Sequence, residues 1–177
     1  MNLQALGALP ILCSVIGVDS DGQAFLDLLR QQRLSQKGIL KSRERHTTVK
    51  TRVIGNNHQM IRVDEENEED IASFETDQLL HLITFILEHD KIDVIIFEDY
   101  NKGLITARLI QKVVESARKR GIPVAVDPKK KNFLNYKGVT LFKPNLKELR
   151  EGLKLDIDVN DEAEMQKILS SFRHKQK

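Results

Sequence analysis

Ile92-Asp93-Val94-Ile95-Ile96-Phe97-Glu98-Asp99-Tyr100-Asn101-Lys102-Gly103 is the stretch whose reading decides the fold. Its first half is a nearly continuous apolar run of strand length, the pattern of a strand covered on both faces in a parallel sheet. Its second half is polar and ends in glycine, so the chain leaves the strand through a loop dense in ionisable groups. The same unit recurs downstream: PVAVD at 123–127 is followed by PKKK, and VTLF at 139–142 by KPNLKE. Between the first two strands, residues 106–120 carry Leu109, Ile110, Val113, Val114 and Ala117 at helical spacing, with a stop at Gly121 and Pro123. A helix over 76–88, with Leu79, Leu82, Ile83 and Ile86 on one face, precedes the decisive strand. Further helices are predicted after Pro144 and over 161–172. Alternation of this kind predicts an α/β fold with a mostly parallel sheet and helices on its faces.

The first third reads differently. A short apolar run at 11–16 ends in Gly17. Asp19-Ser20-Asp21-Gly22 then leads into a helix marked by Phe25, Leu26, Leu28 and Leu29. TTVKTRVI, Gly55-Asn56-Asn57 and HQMIRVD read as two alternating strands around a tight turn. This hairpin interrupts the α/β pattern, so residues 38–67 are expected to form a separate β segment, with 1–37 and 68–177 forming the α/β core.

Composition narrows the class. The 177 residues carry 28 Lys plus Arg against 26 Asp plus Glu, a net charge of +2, with 40% hydrophobic residues. A chain of this size buries roughly 70% of its unfolded surface, and nothing in the composition suggests disorder. No apolar run approaches a membrane span, and residues 3–16 lack a basic leader and contain Pro10, so no signal peptide is read. The lone Cys13 in an apolar stretch fits buried filler in a reducing, cytoplasmic setting. A nucleic-acid partner is disfavoured, because the charge is small and no aromatic residues interleave the basic stretches. Those stretches are Lys41–Arg52 and Lys129–Lys131, while Asp64–Asp70 is almost wholly acidic. Such runs are either solvated faces or binding surfaces.

In parallel sheets ligands bind beyond the carboxyl ends of the strands. Here those ends offer Glu98, Asp99, Tyr100 and Lys102, then Asp127 and Lys129, then Lys143, Asn145 and Glu148. Lysines meet phosphate charge, while Asn and Glu oxygens hold Mg²⁺ or its waters, so the set suits a phosphorylated ligand with a divalent cation. A plainer reading stays open beside it. Asn145 and Glu148 have the spacing of a capping box, Lys129–Lys131 of a solvated turn, and Asp99 and Tyr100 of ordinary turn residues. The five histidines show no zinc-ligand spacing. A Walker A loop and a Rossmann glycine fingerprint are absent from the sequence.

Taken in order, LQALGA with VIGVDSDG, TTVKTRVIGNNHQMIRVDEE, EDYNKG, VDPKK and KPNLKE resemble the ribokinase-type (PfkB) carbohydrate kinases over nearly the whole chain. The TTVKTR, IRVD and DYNKG strings are most similar to the heptose-phosphate kinase domain of bacterial ADP-heptose synthases. The resemblance implies a ribokinase-like three-layer α/β/α core, present in part, with residues 38–67 as a protruding β lid. It implies transfer of the ATP γ-phosphoryl group to the anomeric hydroxyl of a heptose 7-phosphate, a step toward ADP-heptose and lipopolysaccharide core precursors. By motif, Asn145 and Glu148 would organise Mg²⁺ and the ATP phosphates, with Lys129 approaching phosphate. Lys50, Arg52 and Arg62 would clamp the sugar's phosphate, and Asp99, Tyr100 and Lys102 would lie near the sugar. Dimerisation through the lid is a further implication.

Two family elements have no counterpart in the sequence. One is the Gly-Gly-Ala-x-Asn sugar motif, expected just before Met1. The other is the Gly-Ala-Gly-Asp motif, expected after Lys177, which supplies the catalytic base. The resemblance therefore implies the central part of a kinase, inactive alone, weak in any residual ligand binding and prone to self-association. The alternative is a non-catalytic module that binds a phosphosugar or nucleotide.

Overall fold

The structure, a computed structural model, describes residues 2–155 and 161–176. The chain divides into two compact units. One comprises the residues up to His89 together with Lys102–Leu104; the other comprises Asp90–Asn101 and the residues from Ile105 onward. Among the described residues no helix is long and apolar enough to cross a membrane.

The first unit runs α1 (Asn2–Ala5), β1 (Ile11–Gly17), α2 (Ser20–Gln31), β2 (Ser35–Ser42), β3 (Val49–Gly55), β4 (His58–Glu65) and α3 (Ser73–His89). β1 and β2 pair in parallel, and α2 and α3 pack against them. Ile16, Leu26, Leu29, Leu79 and Ile86 are buried in this unit. Asp19 starts α2 as the N-cap, its carboxylate accepting the Gly22 N–H at 2.7 Å, a contact generally worth about 1 kcal/mol. The same carboxylate accepts from the Thr47 hydroxyl (2.7 Å) and backbone N–H (2.8 Å), which tie the approach to β3 to the start of α2. β2 is the element the sequence pattern does not announce. Lys37, Gly38 and Lys41 break its apolar alternation, and only the pairing with β1 makes it a strand. A Cβ on Gly38 would lie 2.3 Å from the Leu12 carbonyl oxygen, so the close approach of the two strands requires glycine there. The Cys13 thiol beside it is pushed up to about 11 by burial, against a smaller lowering by Lys37, and stays protonated at neutral pH.

β3 and β4 form the expected antiparallel hairpin. Its two-residue turn, Asn56-Asn57, has φ of 48° and 63°, the pair of positive values that a type I′ turn needs. Strand alternation gives the hairpin two chemically distinct faces. Thr51, Val53, Ile61 and Val63 share one; Lys50, Arg52, Arg62 and Asp64 share the other, with Lys50 opposite Asp64 and Arg52 opposite Arg62.

The second unit runs β5 (Ile95–Glu98), α4 (Ala107–Lys119), β6 (Val124–Asp127), a single 3₁₀ turn (Lys130–Asn132), β7 (Leu141–Phe142), α5 (Leu146–Leu153) and α6 (Glu162–Lys175). The three strands are parallel in the order β5-β6-β7. α4 begins at a Thr106 N-cap, buries the five residues that its spacing singled out, and ends before Gly121 at φ 68°. Phe133, Leu149 and Phe172 form a buried cluster, with Phe142, Leu153, Met165 and Ile168 packed against it. The Phe133 and Phe142 rings meet edge to face at 5.0 Å, the geometry that ring quadrupoles favour. One expectation is corrected in β5. The apolar run predicts cover on both faces, but period-two alternation buries Phe97 while Val94 and Ile96 remain 46% and 42% exposed.

Candidate functional site

Parallel pairing brings the carboxyl ends of β5, β6 and β7 to one edge of the sheet, and the polar residues that follow them meet there. Asp127 ends β6, Lys129 follows it, and Lys143 leads from β7 to the N-terminus of α5. Lys143 Nζ lies 3.4 Å from Asp127 Oδ1. Asn145 and Glu148 form the capping box that their spacing allows. The Asn145 side chain accepts the Glu148 N–H at 2.9 Å, and Glu148 Oε2 accepts the Asn145 N–H at 2.8 Å. The other Glu148 oxygen is ion-paired with Lys129. The plainer capping-box reading of Asn145 and Glu148 therefore holds. The cap fixes the Glu148 rotamer, and the fixed carboxylate in turn fixes the Lys129 ammonium at a helix N-terminus, where anions are favoured.

The electrostatics follow from those contacts. Burial pushes the Glu148 carboxyl upward. The Lys129 hydrogen bond, the Asn145 N–H and the charges of Lys129 and Lys143 outweigh it and hold the group below its ordinary value. Lys129 is raised, first by its hydrogen bond to Glu148, against a lowering by burial, and further by the charges of Glu148, Asp127 and Tyr100. Both groups are charged at neutral pH. Among the described residues no group of three His, Cys, Asp or Glu side chains could hold a metal ion directly. Glu148 and Asn145 are the oxygen donors at this edge that could face the waters of a hydrated cation.

Asp99 and Tyr100, adjacent in sequence, have opposite fates. Tyr100 is exposed. Asp99 is buried, with Oδ2 accepting from the Tyr136 hydroxyl at 2.7 Å and from Asn132 Nδ2 at 3.3 Å, and Oδ1 accepting the Asn101 N–H at 2.9 Å. Asn132 also donates to the Ile105 carbonyl at 2.6 Å. Asp99 is thus committed to internal partners that hold the loop after β5, while Tyr100 is presented outward. Asn132 and Tyr136 are partners of Asp99 that the sequence pattern does not mark. They sit in a lysine-rich stretch with no apolar periodicity, and nothing local marks Tyr136 as fully buried.

The hairpin cations lie in the first unit, where the acidic run after β4 meets them. Lys50 Nζ is 2.9 Å from Glu66 and 3.2 Å from Asp64, and Arg62 Nε is 3.0 Å from Asp64. Lys102 pairs with Glu66 and, at 2.6 Å, with Glu68. Hydrogen bonds from Lys102 and then Lys50 hold the Glu66 carboxyl below its usual range, and the same bonds raise both lysines. Lys50, Arg62 and Lys102 are therefore gathered around Asp64, Glu66 and Glu68, while Arg52 extends beside Arg62. Arg45, within the basic run, turns its guanidinium to the carbonyls of Glu69 (2.7 Å), Asn67 (2.9 Å) and Lys102 (2.8 Å).

The pattern of the pfkB family carbohydrate kinases matches residues 1–177. The chain belongs to the pfkB family. Among curated proteins, this pfkB chain is similar to the bifunctional protein HldE of Wolinella succinogenes, 36% identical over 172 residues and 97% of the chain. The bifunctional protein HldE of Geobacter sulfurreducens is 37% identical over 148 residues, 83% of the chain. Those matches cover 35% and 30% of the two proteins, so the chain spans about a third of the length of these relatives. Among solved structures, phosphofructokinase-2 from Escherichia coli in complex with fructose-6-phosphate superposes with a TM-score of 0.67 at 18% identity, covering 96% of this chain and 57% of that one. The 2-dehydro-3-deoxygluconokinase of Thermotoga maritima gives 0.65 at 12% identity, covering 96% and 56%. Likeness at such identities establishes the fold: the chain carries part of the ribokinase-like α/β fold of pfkB kinases.

Proposed function

We propose that the chain carries the phosphosugar-clamping hairpin and part of the ATP-phosphate site of a kinase acting on a heptose 7-phosphate at its anomeric hydroxyl. The observation that carries this reading is the Lys129–Glu148–Asn145 arrangement at the sheet edge: a fixed cation and a fixed carboxylate at a helix N-terminus. Lys129 and the α5 N–H groups would bind nucleotide phosphates, and Glu148 with Asn145 would orient the waters of Mg²⁺. The metal, when bound, neutralises phosphate charge during transfer. Lys50, Arg52, Arg62 and Lys102 would hold the sugar's own phosphate, since several cations suit a dianion, and Tyr100 would face the sugar. Asp99 would act by holding Tyr100 in place. Similarity to proteins named HldE supports the heptose branch, and use of ATP supports a cytoplasmic setting. The apolar hairpin face, with Val53, Ile61 and Val63 about half exposed, supports a homodimer built through it.

Because the sequence contains no Gly-Ala-Gly-Asp string to supply a base, the purified 177-residue chain is expected to bind Mg²⁺–ATP only weakly and without turning it over. Equilibrium titration with a fluorescent ATP analogue, beside a coupled ADP-release assay with heptose 7-phosphate, tests this. Saturable nucleotide binding that Glu148→Gln weakens supports the reading. Absence of nucleotide binding, or steady ADP release from pure protein, refutes it.

A further inference from the structure

We infer that Glu66 is a resident competitor for the anion site of the hairpin: its carboxylate occupies the ammonium groups of Lys50 and Lys102 until an incoming phosphate displaces it. This rests on the reading that the hairpin cations take the sugar's phosphate. Glu66 bridges both lysines, Oε2 to Lys50 and Oε1 to Lys102. The bridge ties β3 to the loop after β5 through one side chain. Each lysine has a second acidic partner, Asp64 for Lys50 and Glu68 for Lys102. Glu66 can therefore leave without stranding either lysine.

The charges count in favour of exchange. Lys50, Arg52, Arg62 and Lys102 contribute four positive charges, against three negative charges from Asp64, Glu66 and Glu68. With Glu66 in place the cluster carries +1. With Glu66 withdrawn it carries +2, the match for a phosphate dianion. Lys50 is 39% exposed and Glu66 19%, and ion pairs so near water are weak enough for a stronger anion to replace. Arg52 and Arg62 face one another across the strands, a like-charge pair that an anion would relieve. An acidic segment that merely positioned the lysines would help phosphate bind; one that competes hinders it. The two roles predict opposite signs.

The test is titration of the 177-residue chain with inorganic phosphate at pH 8 and fixed ionic strength, followed by the backbone amide shifts of residues 49–65. Glu66→Gln is expected to bind phosphate about three- to tenfold more tightly than the natural chain, the range set by releasing one or two exposed ion pairs. Glu66→Asp should stay near the natural affinity, and Arg52→Gln, which alters an exposed side chain, should weaken binding. Unchanged or weaker binding by Glu66→Gln, with Arg52→Gln still weakening it, overturns the competitor role and leaves the phosphate reading intact. Absence of phosphate-dependent shifts in both the natural and Glu66→Gln chains, or an affinity indifferent to Arg52→Gln, overturns the phosphate reading and the competitor role with it.

Discussion

Removing one oxygen atom, by Tyr136→Phe, tests how the loop after β5 is held. Tyr136 is fully buried, and its ring packs near Phe97 (5.6 Å) and Phe142 (6.4 Å), contacts that phenylalanine keeps. What disappears is the 2.7 Å hydrogen bond to Asp99, itself 3% exposed. Asp99 Oδ2 is then left with the 3.3 Å contact to Asn132. A hydrogen bond to a charged acceptor contributes about 1.5–3 kcal/mol, and a buried acceptor has no water to replace it. At roughly 2–4 °C per kcal/mol for a chain of this size, the midpoint should fall by roughly 3–12 °C at pH 7. A second signature follows from titration. Burial, then the Asp99 hydrogen bond and charge, push the Tyr136 phenol far above its usual range. A group raised on folding lends stability that is full below its unfolded value, about 10 for tyrosine, and lost as pH climbs above it. The natural chain should therefore lose stability above pH 10 more steeply than Tyr136→Phe. Thermal unfolding by circular dichroism at several pH values reads both effects. An unchanged midpoint at pH 7, or identical alkaline limbs, would sink the buried-network account.

Two further outcomes concern the acid limb and association. Glu148, lowered on folding, lends stability that is present above its unfolded value near 4.5 and lost as pH falls through its folded value. Glu148→Gln should therefore lower the midpoint at pH 7 and flatten its decline between pH 5 and 3; parallel curves would count against the Lys129 and Asn145 contacts. Sedimentation velocity over a hundredfold concentration range should show self-association that Ile61→Lys, on the apolar hairpin face, abolishes. A monomer at every concentration would remove that face as an interface.

Much of the second unit is legible in sequence, because its elements announce themselves by period. α4 displays its whole buried face in the spacing of Leu109 to Ala117, and the capping box of α5 follows from Asn145 and Glu148 alone. The hairpin turn is equally local. β2 is not legible, since a strand carrying Lys37, Gly38 and Lys41 exists only through its partner. The site divides in the same way. Residue types at the strand ends identify Lys129, Asn145 and Glu148 as a group, because parallel strands bring their ends together. The inward commitment of Asp99 to Tyr136, 37 residues away, has no local trace. Nor does the pairing of Lys50 and Lys102 with one glutamate, since it depends on how the chain returns after β4.

Arg45 holds the two feet of the hairpin together without any covalent bond, grasping the carbonyls of Asn67 and Glu69 from the strand's other side. Backbone carbonyls carry no side-chain identity, so this grip is indifferent to what the intervening residues are. Side-chain changes at Asn67 or Glu69 should therefore leave this clasp closed, whereas Thr47 and Lys50 are held by side-chain partners of their own, Asp19 and Glu66.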